Sequence, residues 1–470
     1  MTQNEALDML KLGHNVFLTG PAGSGKTYLL NQYIAYLKLH KVSVGITAST
    51  GIAATHMGGT TIHSWVGMGI RDSMSEPEIR ELLKRPYLRN RLARTKVLII
   101  DEISMLHAHR LDLVNIICQI FKGNSAPFGG MQVIMCGDFF QLPPVSKQPR
   151  QPELVSGSPN HQDEMLRQAQ HDKKSEFVTE SESWKDMRLQ ICYLEEQHRQ
   201  DDRSFLRVLN DIRNNEVSEM TVEYLSERLD KDTQGYVRPT RLFTHNADVD
   251  AINQKHLEEL TGESHEYMMS WRGSYGLTEI LKKSCLAPEV LTLKKGAQVM
   301  FVKNNYEVGY VNGTLGEVID FVNDPEFPEG KQKLPIVRTF DGVEIRVGRA
   351  DWSVKEDDEE KAALSQLPLR LAWAITVHKS QGMSLDAAEI DLSRSFLPGM
   401  GYVALSRVRS LSGLKLMGMN QMALQINPDV SEMDREFLAQ SNEGVLYLTG
   451  LDKGKKTQMQ LDFLTFLKGN

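Results

Sequence analysis

The first half of the chain alternates short apolar runs with stretches of helical periodicity. Asn15-Val16-Phe17-Leu18-Thr19, Val42 through Thr47, Val97-Leu98-Ile99-Ile100 and Gln132 through Cys136 carry almost no polar interruptions. Strands of that kind have no solvent-facing side, so with helical segments between them, such as Tyr28 to Leu39, they predict a parallel sheet covered on both faces. The pattern breaks at 66–95, a polar and charged excursion that ends in the basic run from Arg85 to Lys96 and reads as a small inserted subdomain. From Lys147 to about Ser183 the chain is rich in Gln, Ser, Asp, Glu and Pro, with too few apolar residues to build a core, and reads as a polar insert.

A second α/β half begins near Glu195 and includes Arg241-Leu242-Phe243-Thr244. Between 294 and 352 the chain changes character. Gln298–Val302, Gly313–Ile319 and Ile336–Gly342 read as short strands joined by Gly and Asn turns, which suits a small inserted β-barrel. Helical and strand signals resume after Leu369, and no internal repeat is evident.

At 470 residues the chain has room for two to four domains, because single cores rarely exceed about 250–300 residues. The apolar and charged fractions, 41% and 24%, are ordinary, and no apolar run approaches the roughly 18 residues of a membrane span. The start, Met1-Thr2-Gln3-Asn4-Glu5, has neither a signal core nor transit-peptide character, so a cytoplasmic, bacterial-type protein is expected. Cys118, Cys136, Cys192 and Cys285 are scattered, without metal or redox spacing. A formal charge of −7 argues against a globally basic nucleic-acid coat and leaves a local basic groove open.

The chemistry concentrates after the first strand. Gly20-Pro21-Ala22-Gly23-Ser24-Gly25-Lys26-Thr27 matches G-x-x-x-x-G-K-[ST] between a predicted strand and a predicted helix. Glycines let successive backbone N–H groups turn towards phosphate oxygens, and the helix N-terminus adds positive potential. Lys26 would reach the β and γ phosphates, and Thr27 would present its hydroxyl to Mg²⁺. Gly20, Gly23, Ser24 and Gly25 complete that cradle for ATP. Val97 to Glu102 is an apolar strand ending in two carboxylates: Asp101 is suited to Mg²⁺, Glu102 to orienting and deprotonating water. After the next strand, Gly137-Asp138-Phe139-Phe140-Gln141-Leu142-Pro143-Pro144 offers Gln141 as a γ-phosphate sensor.

Further segments follow: Gln197-His198-Arg199-Gln200, Leu371 through Gly382, and Tyr402 through Val408. With these the chain resembles the Pif-one family of superfamily-one helicases, its motifs recurring in the family's order from Gln3 to about Gly418. Gln3 stands where the family places an adenine-reading glutamine, and Thr47–Ala54 and Thr61–Trp65 are similar to its two DNA-contact segments. Asp202 through Arg213, with Phe205, Leu209 and Ile212 at helical spacing, is similar to its signature helix.

The resemblance implies an α/β protein of two RecA-like parallel-sheet domains, with a wedge at 66–95 and an SH3-like β-barrel at 294–352. The first domain would span 1–190, the second 191–293 and 353–425, with a helical segment at 426–470. ATP would lie at the seam, where Arg199 and Arg407 stabilise the transferring phosphoryl group and Gln381 and Gly382 add to the nucleotide site. Thr50, Gly51, His63, Ser64, His378 and Lys379 would contact a DNA strand. Trp65, Phe139 and Phe140 fit either stacking surfaces or core aromatics, and the basic run could guide duplex or be solvated. The implied activity is 5′-to-3′ travel on single-stranded DNA with unwinding of duplex or guanine-quadruplex DNA, in replication, repair or recombination. The protein would be a monomer away from DNA and would have no membrane partner. A RecD-like or Dda-like helicase, or an ATP-dependent switch that does not unwind, is the alternative.

Overall fold

The apolar runs become neighbouring strands. In the computed structural model, β1 (Val16–Thr19), β2 (Val44–Ala48), β3 (Thr60–Thr61), β4 (Val97–Asp101), β5 (Gln132–Cys136) and β6 (Gln190–Tyr193) form one parallel sheet in the order β3-β2-β4-β5-β1-β6. The described residues are 1–69, 71–141, 177–196, 202–233, 235–243, 249–305, 307–324, 333–356, 359–377, 379–380, 382–395 and 398–468. Strands β1, β4 and β5 are buried at every position, as expected where helices such as Lys26–Leu39 and Ala108–Lys122 cover both faces. Parallel pairing sets Ala48 opposite Asp101 and Leu18 between Cys136 and Cys192. The C-terminal ends of these strands therefore share one edge, where α/β sheets bind ligands.

The 66–95 excursion contains two short helices, Glu76–Leu83 and Pro86–Arg94. Ser75 and Glu78 cap the first reciprocally. Ile79, Leu82, Leu88 and Leu92 anchor the pair to the main core, while Arg85, Arg89 and Arg94 stay exposed. Most of the polar insert expected at 147–183 lies outside the described residues.

The second half holds another parallel sheet, ordered Ala374–Thr376, Thr240–Phe243, Ala388–Leu392, Leu414–Met419. Antiparallel strands fill the interval from His265 to Leu371, beyond both ends of 294–352. Ser270–Gly273 is exposed at all four positions, so no apolar alternation marks it in the sequence. Leu369–Leu371 pairs with Gln298–Phe301 across a long sequence gap. Val299, Phe301, Val318, Val337 and Leu369 fill the core of this insertion, and its helix Tyr275–Ser284 packs against the Gly51–His56 helix of the first half.

Two final helices, Pro428–Gly450 and Lys453–Lys468, return to the first half. Phe437 meets Phe17 with ring centroids 5.0 Å apart, Tyr193 N donates to Ser441 Oγ at 3.0 Å, and Lys456 pairs with Asp8 at 2.7 Å. Leu464 and Leu467 join the core that contains Val16 and Leu29.

Candidate active site and nucleic-acid face

The phosphate loop turns through left-handed backbone at Gly20 (φ 137°), Gly23 (87°) and Gly25 (82°), conformations in which a Cβ is strained. At Gly20 there is also no room: a Cβ would stand 2.3 Å from the carbonyl oxygen of Leu194. Lys26 begins the helix that follows, its Nζ donating to the carbonyls of Gly20 (2.8 Å) and Pro21 (2.9 Å), while Thr27 is exposed beside it. Gln3 opens the Gln3–Lys11 helix, which is closed by a Thr2–Glu5 capping box, and its Nε2 lies 3.4 Å from the carbonyl of Ser24. Residues predicted to read adenine and to hold phosphate thus lie side by side.

Asp101 ends β4 at the same edge. Its carboxylate accepts from the N–H of Glu102 at 2.9 Å and from the Cys136 thiol, and burial raises its pKa against the opposing pull of Lys26. Glu102 sits in left-handed backbone (φ 51°), which is uncommon outside glycine and concentrates at functional sites. Burial and then the Asp101 charge push Glu102 up to about 7, offset in part by Arg407 and Lys26. A carboxylate tuned to that range suits a general base working at neutral pH.

Arg407 reaches this edge from the second half. It is 1% exposed, and its guanidinium donates to Gln141 Oε1 at 3.3 Å, to Ser406 Oγ at 3.1 Å and to the carbonyl of Val403 at 3.1 Å. Gln141 belongs to the first half, so the seam passes between these two side chains. Gly382 has φ 74°. Arg199, His378 and Gln381 lie outside the described residues.

The segments expected to touch DNA gather at the ends of β2 and β3. Thr50 caps the Gly51–His56 helix, accepting from Ala53 N at 3.3 Å, and His63 and Ser64 lie half-buried on the Ile62–Trp65 turn. His63 Nε2 is 3.4 Å from Arg110. Burial first, then that guanidinium, hold its pKa down at about 4. Lys379 pairs with Asp250 at 3.1 Å. The structure places all three of the proposed stacking surfaces in the core instead. Trp65 is 4% exposed over Gly45, and Phe139 sits among Phe17, Trp184 and Phe437. Phe140 is likewise buried, against Tyr402.

Arg213, Asp138 and Tyr402, none of them a site residue by motif, form a buried cluster behind the seam. A signal was present. Arg213 lies four residues after Leu209 and eight after Phe205, so a charge stands on an apolar stripe.

A buried arginine of one parallel-sheet half meeting a glutamine of the other beside a phosphate loop places the protein among P-loop ATPase motors with two RecA-like halves. Comparison with known proteins narrows the class. A family model described as PIF1-like helicase matches residues 2–223, and a second, described as DNA helicase Pif1, 2B domain, matches 276–321. An ATP-dependent DNA helicase Pif1 from Psychrobacter is 44% identical, across 93% of this chain and 71% of its own length. The chain spans about two thirds or less of the length of its vertebrate relatives, 66% for the Xenopus laevis protein and 60% for the human one. Bacteroides Pif1 in complex with ADP-AlF4 has a TM-score of 0.74 at 30% identity, covering 94% of this chain and 97% of that one. A Bacteroides Pif1 bound to ssDNA has a TM-score of 0.58 at 31% identity, with the same coverages. The chain belongs to the Pif1 family of ATP-dependent DNA helicases.

Proposed function

We propose that the chain hydrolyses ATP at the seam and converts each cycle of closure and reopening into a short 5′-to-3′ step on single-stranded DNA. It would separate duplex and guanine-quadruplex structures ahead of it during replication, repair or recombination. The observation that carries this reading is the Arg407–Gln141 contact at 3.3 Å, next to Glu102. A hydrolysis site assembled from both halves is complete only while they are closed, so phosphoryl chemistry and relative motion are one event.

In this scheme Lys26 grips the β and γ phosphates, Gln3 reads adenine, Glu102 takes a proton from the attacking water, and Arg407 with Arg199 neutralises charge on the transferring phosphoryl group. Asp101 is a buried carboxylate whose described partners are one N–H and one thiol, a setting that a divalent cation would satisfy. Among the described residues no cluster of three or more His, Cys, Asp or Glu forms an all-protein metal cage, as suits Mg²⁺ held by few side chains together with substrate phosphates. Asp101 and Thr27 would hold it, and it would neutralise β and γ oxygens. Thr50, Gly51, His63, Ser64, His378 and Lys379 would track the DNA backbone, with the antiparallel insertion enclosing the strand and the 66–95 helices meeting the duplex. Among the described residues no helix is long and apolar enough to cross a membrane. All four cysteines are free, as in a reducing cytoplasm.

The test is unwinding of 5′-tailed, 3′-tailed and forked duplexes and of a folded guanine-rich strand. Separation of the 5′-tailed substrate alone among the single-tailed ones is expected. Strand-stimulated ATPase without separation at either polarity would make the protein a DNA-bound switch instead.

A further inference from the structure

Arg213 ends the Arg203–Arg213 helix and is 4% exposed. Its Nη1 donates to Asp138 Oδ1 at 3.0 Å and to the Tyr402 hydroxyl at 3.1 Å. Its Nη2 donates to the Tyr193 hydroxyl at 3.2 Å and to Asp434 Oδ1 at 2.9 Å, and the guanidinium lies 3.9 Å from the centroid of the Phe140 ring. The partners come from four places: the end of β6, the turn after β5, the Met400–Leu405 helix of the second half, and the Pro428–Gly450 helix.

Two of these partners lead into the ATP site. Asp138 is fully buried and also accepts from the N–H of Phe140 at 3.2 Å and from Gln141 Nε2 at 3.4 Å, so it shapes the turn that presents Gln141. Tyr402 lies on the helix that leads to Arg407, and its hydroxyl faces the backbone of Ala22 in the phosphate loop. Beyond Asp138 and Tyr402 the two branches meet again where Arg407 touches Gln141.

We propose that Arg213 is a positioning residue for ATP hydrolysis, a cross-brace that holds the phosphate loop, Gln141 and Arg407 in register when the halves close. The inference rests on the reading of Arg407 as the group that stabilises the transferring phosphoryl charge. The planar guanidinium fork can satisfy Asp138 and Tyr402 from one nitrogen and Tyr193 and Asp434 from the other; a lysine ammonium is a point charge that cannot hold all four. A buried cation needs its partners in place, so the brace is whole only with both halves assembled. Asp434 and Tyr193 form its outer arm, and Asp138 and Tyr402 the arm that faces the nucleotide.

The test compares Arg213→Lys, Tyr402→Phe and Asp434→Asn for DNA-stimulated kcat, KM for ATP and melting temperature. Tyr402→Phe keeps the ring and removes only the hydroxyl, so it probes the inner arm even where Arg213→Lys folds poorly. Tyr402→Phe and Arg213→Lys should lower kcat on the order of ten-fold or more, the scale of a misplaced catalytic group, with KM changed less than about two-fold. The Arg213→Lys, Tyr402→Phe double variant should be no slower than the slower single one. Asp434→Asn, whose amide oxygen still accepts from Arg213, should lower the melting temperature and lower kcat less than Tyr402→Phe does. Normal kcat in folded Tyr402→Phe, or losses that multiply in the double variant, would reduce Arg213 to a structural ion pair. An Arg407→Ala protein that turns over normally would instead remove the reading of Arg407 and leave the Arg213 results to be judged on their own.

Discussion

The hydroxyl of Ser49 donates to the backbone carbonyl of Glu102 at 2.6 Å, and the Ser49 N–H donates to the carbonyl of Asp101 at 3.0 Å. Ser49 immediately precedes Thr50, the cap of the helix expected to lie on DNA, so the DNA-contact segment is tied to the left-handed backbone of the expected general base. Ser49→Ala should lower DNA-stimulated turnover by about five-fold, the scale of one hydrogen bond, with a smaller effect on the rate without DNA. Steady-state ATPase with and without a thymidine oligomer reads this out, and undiminished stimulation would deny the coupling.

Glu102→Gln should keep nucleotide affinity while slowing single-turnover hydrolysis at least about a hundred-fold, because an amide of the same shape cannot accept the proton from water. Binding of a fluorescent ATP analogue, followed by quench-flow, separates the two effects. Near-normal hydrolysis would take the base role from Glu102.

Gly20→Ala should abolish tight nucleotide binding, since the added Cβ meets the Leu194 carbonyl at 2.3 Å in backbone that already disfavours a side chain. Gly276→Ala is the control. It lies in the Tyr275–Ser284 helix with nothing within 4 Å of its would-be Cβ, so it should stabilise the protein by up to about 1 kcal/mol. Calorimetric titration with ADP and thermal melting check the pair, and intact affinity in Gly20→Ala would show that the loop can relax.

His63, held down at about 4 by burial and by Arg110, should be neutral at pH 7. Its folded pKa lies below the ordinary value of about 6.5, so the unfolded chain binds more protons in between. The stability it contributes is complete above about pH 6.5 and is lost as pH falls towards 4. Against His63→Gln, the wild-type advantage in melting temperature should shrink from pH 7 to pH 5. The salt dependence of single-strand binding at pH 7 should be the same for both, because no charge is removed. A slope reduced by about one would mean that His63 binds phosphate as a cation.

The parallel sheet and the phosphate loop were legible because their signals are local. A strand buried on both faces is apolar throughout, and the left-handed backbone of Gly20 and Gly23 favours glycine. What stayed hidden depends on long-range pairing. Ser270–Gly273 has exposed side chains and no alternation, so only its partner Glu359–Gln366 defines it as a strand. Aromatic residues next to motifs were equally ambiguous, since Trp65 and Phe139 are flat and apolar whether they face a base or a core, and only packing decides. Arg213 reads in the sequence as the end of a helix, yet four partners from distant segments make it a junction, and no spacing rule contains them.

The return of the C-terminal helices to the first half has a mechanical consequence. The second half leaves the first after β6 and rejoins it at Pro428–Gly450, so it is suspended between two covalent crossings. A body held at two points swivels about the line joining them, whereas one held at a single point is free to tumble. Any closure of the two halves in the proposed cycle would have to turn about both crossings, and loosening the Phe437–Phe17 contact would add slack at one of them without touching the nucleotide site.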